Sequence, residues 1–293
     1  MTWALIRNRP MPARDPVRDG YIVAATLWCL AILLEIVDGA SDARGWWAAP
    51  LPNPYVVTEY DLGQGFFFSP PVAFLFYPLT LVPWPVFAAL WTAAMFATIY
   101  AFVGRWAFLA LLIPPVWWEI SSGNISLLVG LAVATGFRYP SAWAFVLLTK
   151  ITPGVGLLWF LVRREWRNLA VAIGATAAFV CLTALLVPNL WLQWLGLMGD
   201  NAGSEGPGYF TIPVSLPVRL ALAAILVTWG ALTDRRWTVV AAAILGTPVL
   251  WYNALAGLLA VLALRHTWTI PARVADSAVP AAERAEPSIA WLD

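Results

Sequence analysis

The chain has few of the residues from which polar reaction centres are usually built. Its single histidine, His266, falls at the end of an apolar run beside Arg265. One imidazole in that place supplies neither a histidine-based metal centre nor a Ser-His triad. Its two cysteines, Cys29 and Cys181, both sit inside apolar runs. They read as small apolar fillers and leave no disulfide framework. Charged residues are only 11% of the 293, and the net charge is +1, so no nucleic-acid partner is indicated. Neither a metal nor a cofactor is expected. Lysine occurs once, as Lys150, and every other cationic side chain is arginine. A coding bias toward arginine explains the ratio. It does not explain why the one lysine interrupts an apolar stretch.

What the chain does have is apolar side chain: 61% of its residues are hydrophobic. A soluble domain of this size cannot hide that much, so lipid is the solvent for most of it. The 19 tryptophans agree, because amphipathic rings favour the headgroup level. The sequence therefore predicts an all-α, polytopic transmembrane bundle. Residues 1–266 form one integral membrane domain, and 267–293 a polar, disordered cytoplasmic tail.

Arg7, Arg9, Arg14 and Arg18 precede an apolar run at 21–37. A positive flank before such a run also describes a signal peptide. The run carries Glu35 and many more apolar runs follow, which favours an uncleaved first span. The positive-inside rule then puts the N-terminus in the cytoplasm and the 38–69 loop outside. Further apolar segments follow at 70–82, 85–103, 106–118, 125–137, 140–162, 168–187, 214–232, 237–246 and 254–264. Residues 188–212 are expected to be a second outer loop. In this layout every Lys and Arg faces the cytoplasm except Arg44, Lys150 and Arg219, and both termini are cytoplasmic.

Three polar interruptions stand out: EISSGN (119–124), KITP (150–153) and TPVLWYN (247–253). Thirteen-residue segments such as 106–118 rise only about 20 Å, against a hydrocarbon core of roughly 30 Å. Their joining tips then lie below the surface. Irregular backbone at that depth is tolerated only against protein or water. The three tips are expected to line one outward-facing cavity beneath the 38–71 loop, surrounded by short broken helices.

That loop holds Asp38, Asp42, Glu59 and Asp61 with Arg44, Trp46 and Trp47. Asp38 and Asp42 read either as solvated loop acids or as working carboxylates. Lys150 and Arg219 either snorkel to an interface or serve a site. Glu119 caps a helix or holds a cation. Asn124 and Asn253 read as helix-end hydrogen bonders or as ligand contacts. The Phe66–Phe68 run reads as an aromatic belt, and Trp46 and Trp47 as belt or sugar platform.

The run DARGWWAA (42–49), then NPY (53–55), then FFFSPPVAFLFYPLTLVP (66–83) resembles the membrane glycosyltransferases of family 87. That family is of the GT-C type and includes polyprenol-phosphate-mannose-dependent mannosyltransferases. SGNI (122–125), Lys150–Pro153, SLPVRL (215–220) and TPVLWYN (247–253) resemble further family motifs in the same order. Ser69 stands at the tyrosine of the Pro-Pro motif, Asn124 at the glutamine of the third motif, and Asn253 at the histidine of the last.

The resemblance implies a GT-C-like fold in a bacterial inner membrane. The implied enzyme moves a hexose, with mannose the sugar the resemblance points to, from a polyprenyl-phosphate donor to a glycolipid or glycan acceptor on the outer face. It inverts the anomeric centre and needs no nucleotide, in keeping with the lack of a glycine-rich phosphate loop. The resemblance gives Asp42 the role of general base, with Asp38 as alternative. Lys150 and Arg219, with Arg44 third, partner the departing phosphate. Asn253, Asn124, Trp46, Trp47 and Glu119 contact sugar or acceptor. Broken helices around a buried cation also describe a transporter or lipid flippase. A shrunken, inactive membrane partner is the third class.

Overall fold

The computed structural model describes residues 40–49, 51–55, 65–200 and 210–265, together with Asp19, Ile22, Val23 and Thr26. Most of the expected first span, the acids Glu35, Asp38, Glu59, Asp61 and Glu205, His266 and the tail 267–293 lie outside the described residues. Within them all regular structure is helical, apart from one isolated bridge between Thr211 and Trp251. The expected all-α membrane bundle is what forms.

Proline sets where the helices begin. Pro70, Pro85, Pro114 and Pro217 each fall at the first or second helical position. There the missing N–H costs nothing and the fixed φ favours the helix. The helix at Trp84–Val103 continues through a 3-10 turn at Gly104–Trp106 into Ala107–Ala110, making one apolar rod of 27 residues. At 1.5 Å per residue it spans about 40 Å, enough to cross a bilayer. This differs from the expected break between 85–103 and 106–118. The restart comes later, at Pro114–Pro115, and Arg105 lies in the 3-10 turn.

A second helix, Trp166–Leu186, is 21 residues long and also apolar and long enough to cross. Its side chains are largely exposed, Leu185 to 82%. An apolar helix with so little protein around it has lipid as its solvent. Pro114–Ser122 and Ser126–Thr135 form a broken pair bent by 106°. The break falls in EISSGN. KITP likewise separates Trp143–Thr149 from a 3-10 helix at Thr152–Leu157, and TPVLWYN separates Trp237–Leu245 from Tyr252–Leu259.

Two expectations are corrected. The segment expected to be an outer loop, 188–212, begins with a helix, Pro188–Asp200. Pro188 starts it, Leu190 is buried, and the Trp194 indole N–H donates to the Phe67 carbonyl at 3.0 Å. Second, the Phe66–Phe68 run is not a lipid-facing belt. Phe66 and Phe68 are buried against Trp46 and Phe76. Tyr55 closes over them and donates its hydroxyl to the Phe68 carbonyl at 3.0 Å.

Candidate active site

The site is assembled where a short loop helix, Ser41–Trp47, docks onto the EISSGN tip. Gly123 makes the docking possible. It ends the Pro114–Ser122 helix in the left-handed region at φ 69°. Its own N–H and that of Asn124 return to the carbonyls of Ile120 and Glu119 at 3.0 Å each. Only glycine adopts that conformation at no steric cost. A side chain there would also put its Cβ 2.5 Å from that of Ala43. The Gly123 carbonyl accepts the Trp91 indole N–H at 2.8 Å, which ties the tip to the Trp84–Val103 helix.

The docking presents Asp42 to Asn124. The Asn124 amide donates to Asp42 Oδ2, while its oxygen accepts the Ile125 N–H at 2.7 Å and the Ser126 hydroxyl at 3.0 Å. Those two donors fix the amide orientation, so its NH2 must face the carboxylate. Asp42 lies outside the spanning helices but is largely enclosed. Burial pushes its carboxyl from the ordinary 3.8 to about 6, against the lowering pull of Asn124 and of the Lys150 ammonium. Such a value suits proton transfer near neutral pH.

Glu119 is fully buried. Its Oε1 accepts the N–H groups of Ser126 and Leu127, the latter at 3.2 Å, while Oε2 has no hydrogen-bond partner. It therefore caps the Ser126–Thr135 helix from the helix before it, satisfying donors that no residue of that helix reaches. The expected capping role is thereby realised. Lys150 lies within the electrostatic reach of both Glu119 and Asp42. It follows the Trp143–Thr149 helix in extended conformation. Ser69 pins that turn, donating its hydroxyl to the Leu148 carbonyl at 2.7 Å and its N–H at 3.3 Å. Asn253, from TPVLWYN, is buried and donates to the Ser122 hydroxyl at 3.1 Å. The EISSGN tip thus touches TPVLWYN through Ser122 and Asp42 through Asn124, with Lys150 of KITP in electrostatic reach of Asp42.

Other expected site residues are placed elsewhere. Arg219 is buried, but four of its five N–H groups are taken by backbone carbonyls: Val214 at 2.7 Å, Leu245 at 2.8 Å, Thr247, and Pro248 at 2.7 Å. It braces the TPVLWYN tip and has little left for a phosphate. Trp46 is buried among Phe68, Phe76 and Trp91, at ring separations of 5.0 to 5.7 Å. That excludes it as a sugar platform. Trp47 donates its indole N–H to the Val82 carbonyl at 2.8 Å and packs on Trp84. Arg44 is exposed and lies over the Trp84 ring at 5.1 Å. Asp38 is outside the described residues.

Ser122 and Ser69 were noted only as motif positions, and an aromatic group beside the tips was not singled out. In that group the Trp118 ring meets Phe210 at 4.4 Å and Tyr252 at 6.3 Å. Trp118 precedes Glu119 and Tyr252 precedes Asn253. The signal available was this adjacency of rings to polar tip residues. Among the described residues no group of three or more His, Cys, Asp or Glu is placed to hold a metal ion.

Comparison with known proteins adds to this geometry. The chain is 26% identical over 200 residues to a polyprenol-phosphate-mannose-dependent alpha-(1-2)-phosphatidylinositol pentamannoside mannosyltransferase of Mycolicibacterium smegmatis. The match takes in 61% of this chain and 45% of that protein. The protein of the same name from Mycobacterium tuberculosis is 27% identical over 192 residues, 55% of this chain and 44% of the relative. The chain thus spans less than half the length of these curated relatives. No solved structure matches it. The model of glycosyltransferase family 87 matches residues 66–280, a range that starts after Asp42 but includes Lys150, Glu119, Asn124 and Asn253. With most of its length matched, the chain belongs to glycosyltransferase family 87.

Proposed function

We propose that this chain is a membrane hexosyltransferase that moves mannose from a polyprenyl-phosphate donor to a glycolipid acceptor. The observation that carries the reading is the enclosed Asp42 carboxylate, held by Asn124 and facing the field of the chain's single lysine. A base and a fixed cation side by side are what the reaction requires. Asp42 takes the proton of the acceptor hydroxyl. The freed oxygen attacks the anomeric carbon, and the carbon–oxygen bond to phosphate breaks with its electron pair going to the polyprenyl phosphate. Lys150 stabilises that leaving anion, an effect strengthened where water is excluded. One displacement at the anomeric carbon inverts it.

Asn253 and Ser122 offer an amide and a hydroxyl to sugar hydroxyls beside Asp42. Arg219 is retained as the brace of the tip that carries Asn253. Arg44, exposed over Trp84, serves at the donor's approach. The polar tips face the outer side of an inner membrane, with both termini in the cytoplasm. The asymmetry of arginines along the chain supports this orientation.

Reconstituted proteoliposomes test the reading. With radiolabelled polyprenyl-phosphate-mannose and phosphatidylinositol mannosides, label is expected in the glycolipid fraction, and none from GDP-mannose. Transfer from the nucleotide sugar, or from neither donor, contradicts it.

A further inference from the structure

The end of the bundle remote from Asp42 carries a second constructed feature. The Ser126–Thr135 helix leaves the EISSGN tip and delivers Phe137 and Arg138 about 15 Å away. The segment from Lys150 through Leu158–Val162 ends at Arg163. Trp237–Leu245 runs from Arg236 to the TPVLWYN tip, and Tyr252–Leu259 with Ala260–Arg265 returns over about 25 Å to Arg265. Four independent segments thus place arginine at one level, opposite the site.

These arginines are held in place by aromatic rings. Arg163 lies over Trp159 at 5.2 Å, Arg235 over Trp229 at 5.2 Å, Arg236 over Phe137 at 5.5 Å and Arg265 over Trp237 at 5.4 Å. The rings themselves touch: Phe137 with Trp159 at 5.4 Å and Trp229 with Trp237 at 6.3 Å. A planar cation on a ring face loses little further freedom when it binds an anion. Two turns add to the design. Arg164 and Asp234 both take positive φ, 57° and 55°. This conformation is disfavoured for residues with a side chain. Arg163 locks the two turns together through Asp234 at 3.0 Å, the Ala231 carbonyl at 3.1 Å and Glu165 at 3.2 Å. The local acids are thereby consumed by Arg163. Arg164, Arg235, Arg236 and Arg265 are exposed, and among the described residues no Asp or Glu pairs with them.

We propose that this ring-backed arginine belt is a docking surface for the headgroups of anionic phospholipids in the leaflet at that end. A cationic layer level with aromatic rings, unpaired with any described Asp or Glu and at the end of the bundle away from the submerged polar tips, matches the charge and the interfacial setting of lipid phosphates. Such docking fixes the depth of the bundle and hence the level of the Asp42 site in the opposite leaflet. It does not depend on the sugar-transfer reading.

The test is a lipid titration of the purified full chain in detergent micelles. Its melting temperature is followed against added dioleoyl-phosphatidylglycerol, dioleoyl-phosphatidylcholine or inorganic phosphate, at low and high salt. Phosphatidylglycerol is expected to raise it, salt to weaken the effect, and the other two to do little. Each arginine near the surface contributes about fivefold in affinity, so Arg235→Gln with Arg236→Gln should raise the half-maximal phosphatidylglycerol by about 25-fold. Should that double variant not purify, Arg265→Gln at a helix end should give about a fivefold shift. Equal stabilisation by phosphatidylcholine, or unchanged phosphatidylglycerol dependence in the variant that purifies, overturns the proposal. Stabilisation by inorganic phosphate alone would assign the belt to a soluble anion and overturn it equally.

Discussion

Replacing Gly123 by alanine perturbs the docking of the Asp42 helix without touching a reacting group. Two costs follow from the structure. The backbone at φ 69° becomes strained for alanine, about 1–2 kcal/mol. The new Cβ falls 2.5 Å from that of Ala43, where carbon atoms prefer about 3.5–4.0 Å. The Ser41–Trp47 helix and the tip must therefore part by about 1 Å. That opens the contact between Asp42 and Asn124, and a displacement of this size costs about 100-fold in turnover. The fold should survive, because the aromatic packing of Trp46 remains. The assay is mannose transfer by proteoliposomes alongside a melting curve in detergent. The compensating change is Ala43→Gly, which removes the opposing methyl. The double variant Ala43→Gly/Gly123→Ala should regain most of the lost turnover while staying less stable than wild type. Unchanged turnover in Gly123→Ala would refute the reasoning. So would a double variant no better than the single one.

Three further outcomes are expected. Transfer should fall as pH drops through about 6, where Asp42 takes up a proton, and level off above it. Asn124→Ala removes a bond that lowers this value, so the midpoint should move to higher pH; a midpoint that stays put or moves down counts against the contact. Lys150→Met should raise the donor KM and lower turnover while leaving the acceptor KM unchanged; an effect on acceptor alone would remove Lys150 from the phosphate. Arg219→Ala strands four carbonyls, that of buried Thr247 among them, and hydrogen bonds to a charged group are worth about 1.5–3 kcal/mol each. The variant should be markedly destabilised, and Arg219→Lys only partly rescued, read from the melting temperature.

The site was legible where polarity interrupts apolar sequence. EISSGN, KITP and TPVLWYN break runs that would otherwise continue, and the chain bends at those places. Asn124, Lys150 and Asn253 stand out for that reason, and Asp42 for its spacing to Trp46 and Trp47 in the polar loop. Arg219 was misassigned because its partners are backbone carbonyls, which have no sequence signature. Trp46 and the Phe66–Phe68 run were misread because an aromatic next to a site looks the same whether it faces sugar, lipid or core. The Pro188–Asp200 helix was missed because its glycines and asparagine resemble loop chemistry. Its buried Leu190 and the Trp194 bond to Phe67 arise only in three dimensions.

Asp42→Asn is the most direct test of the account. Burial holds Asp42 above its ordinary value, so its ionised form weighs against folding as pH rises from 3.8 through 6. The neutral amide removes that burden, and the variant should melt no lower than wild type at pH 7. Mannose transfer from polyprenyl-phosphate-mannose in proteoliposomes should nevertheless fall by roughly 100- to 10,000-fold. A well-folded Asp42→Asn protein that transfers mannose at the wild-type rate would contradict the assignment of the base, and with it the mechanism built on this site.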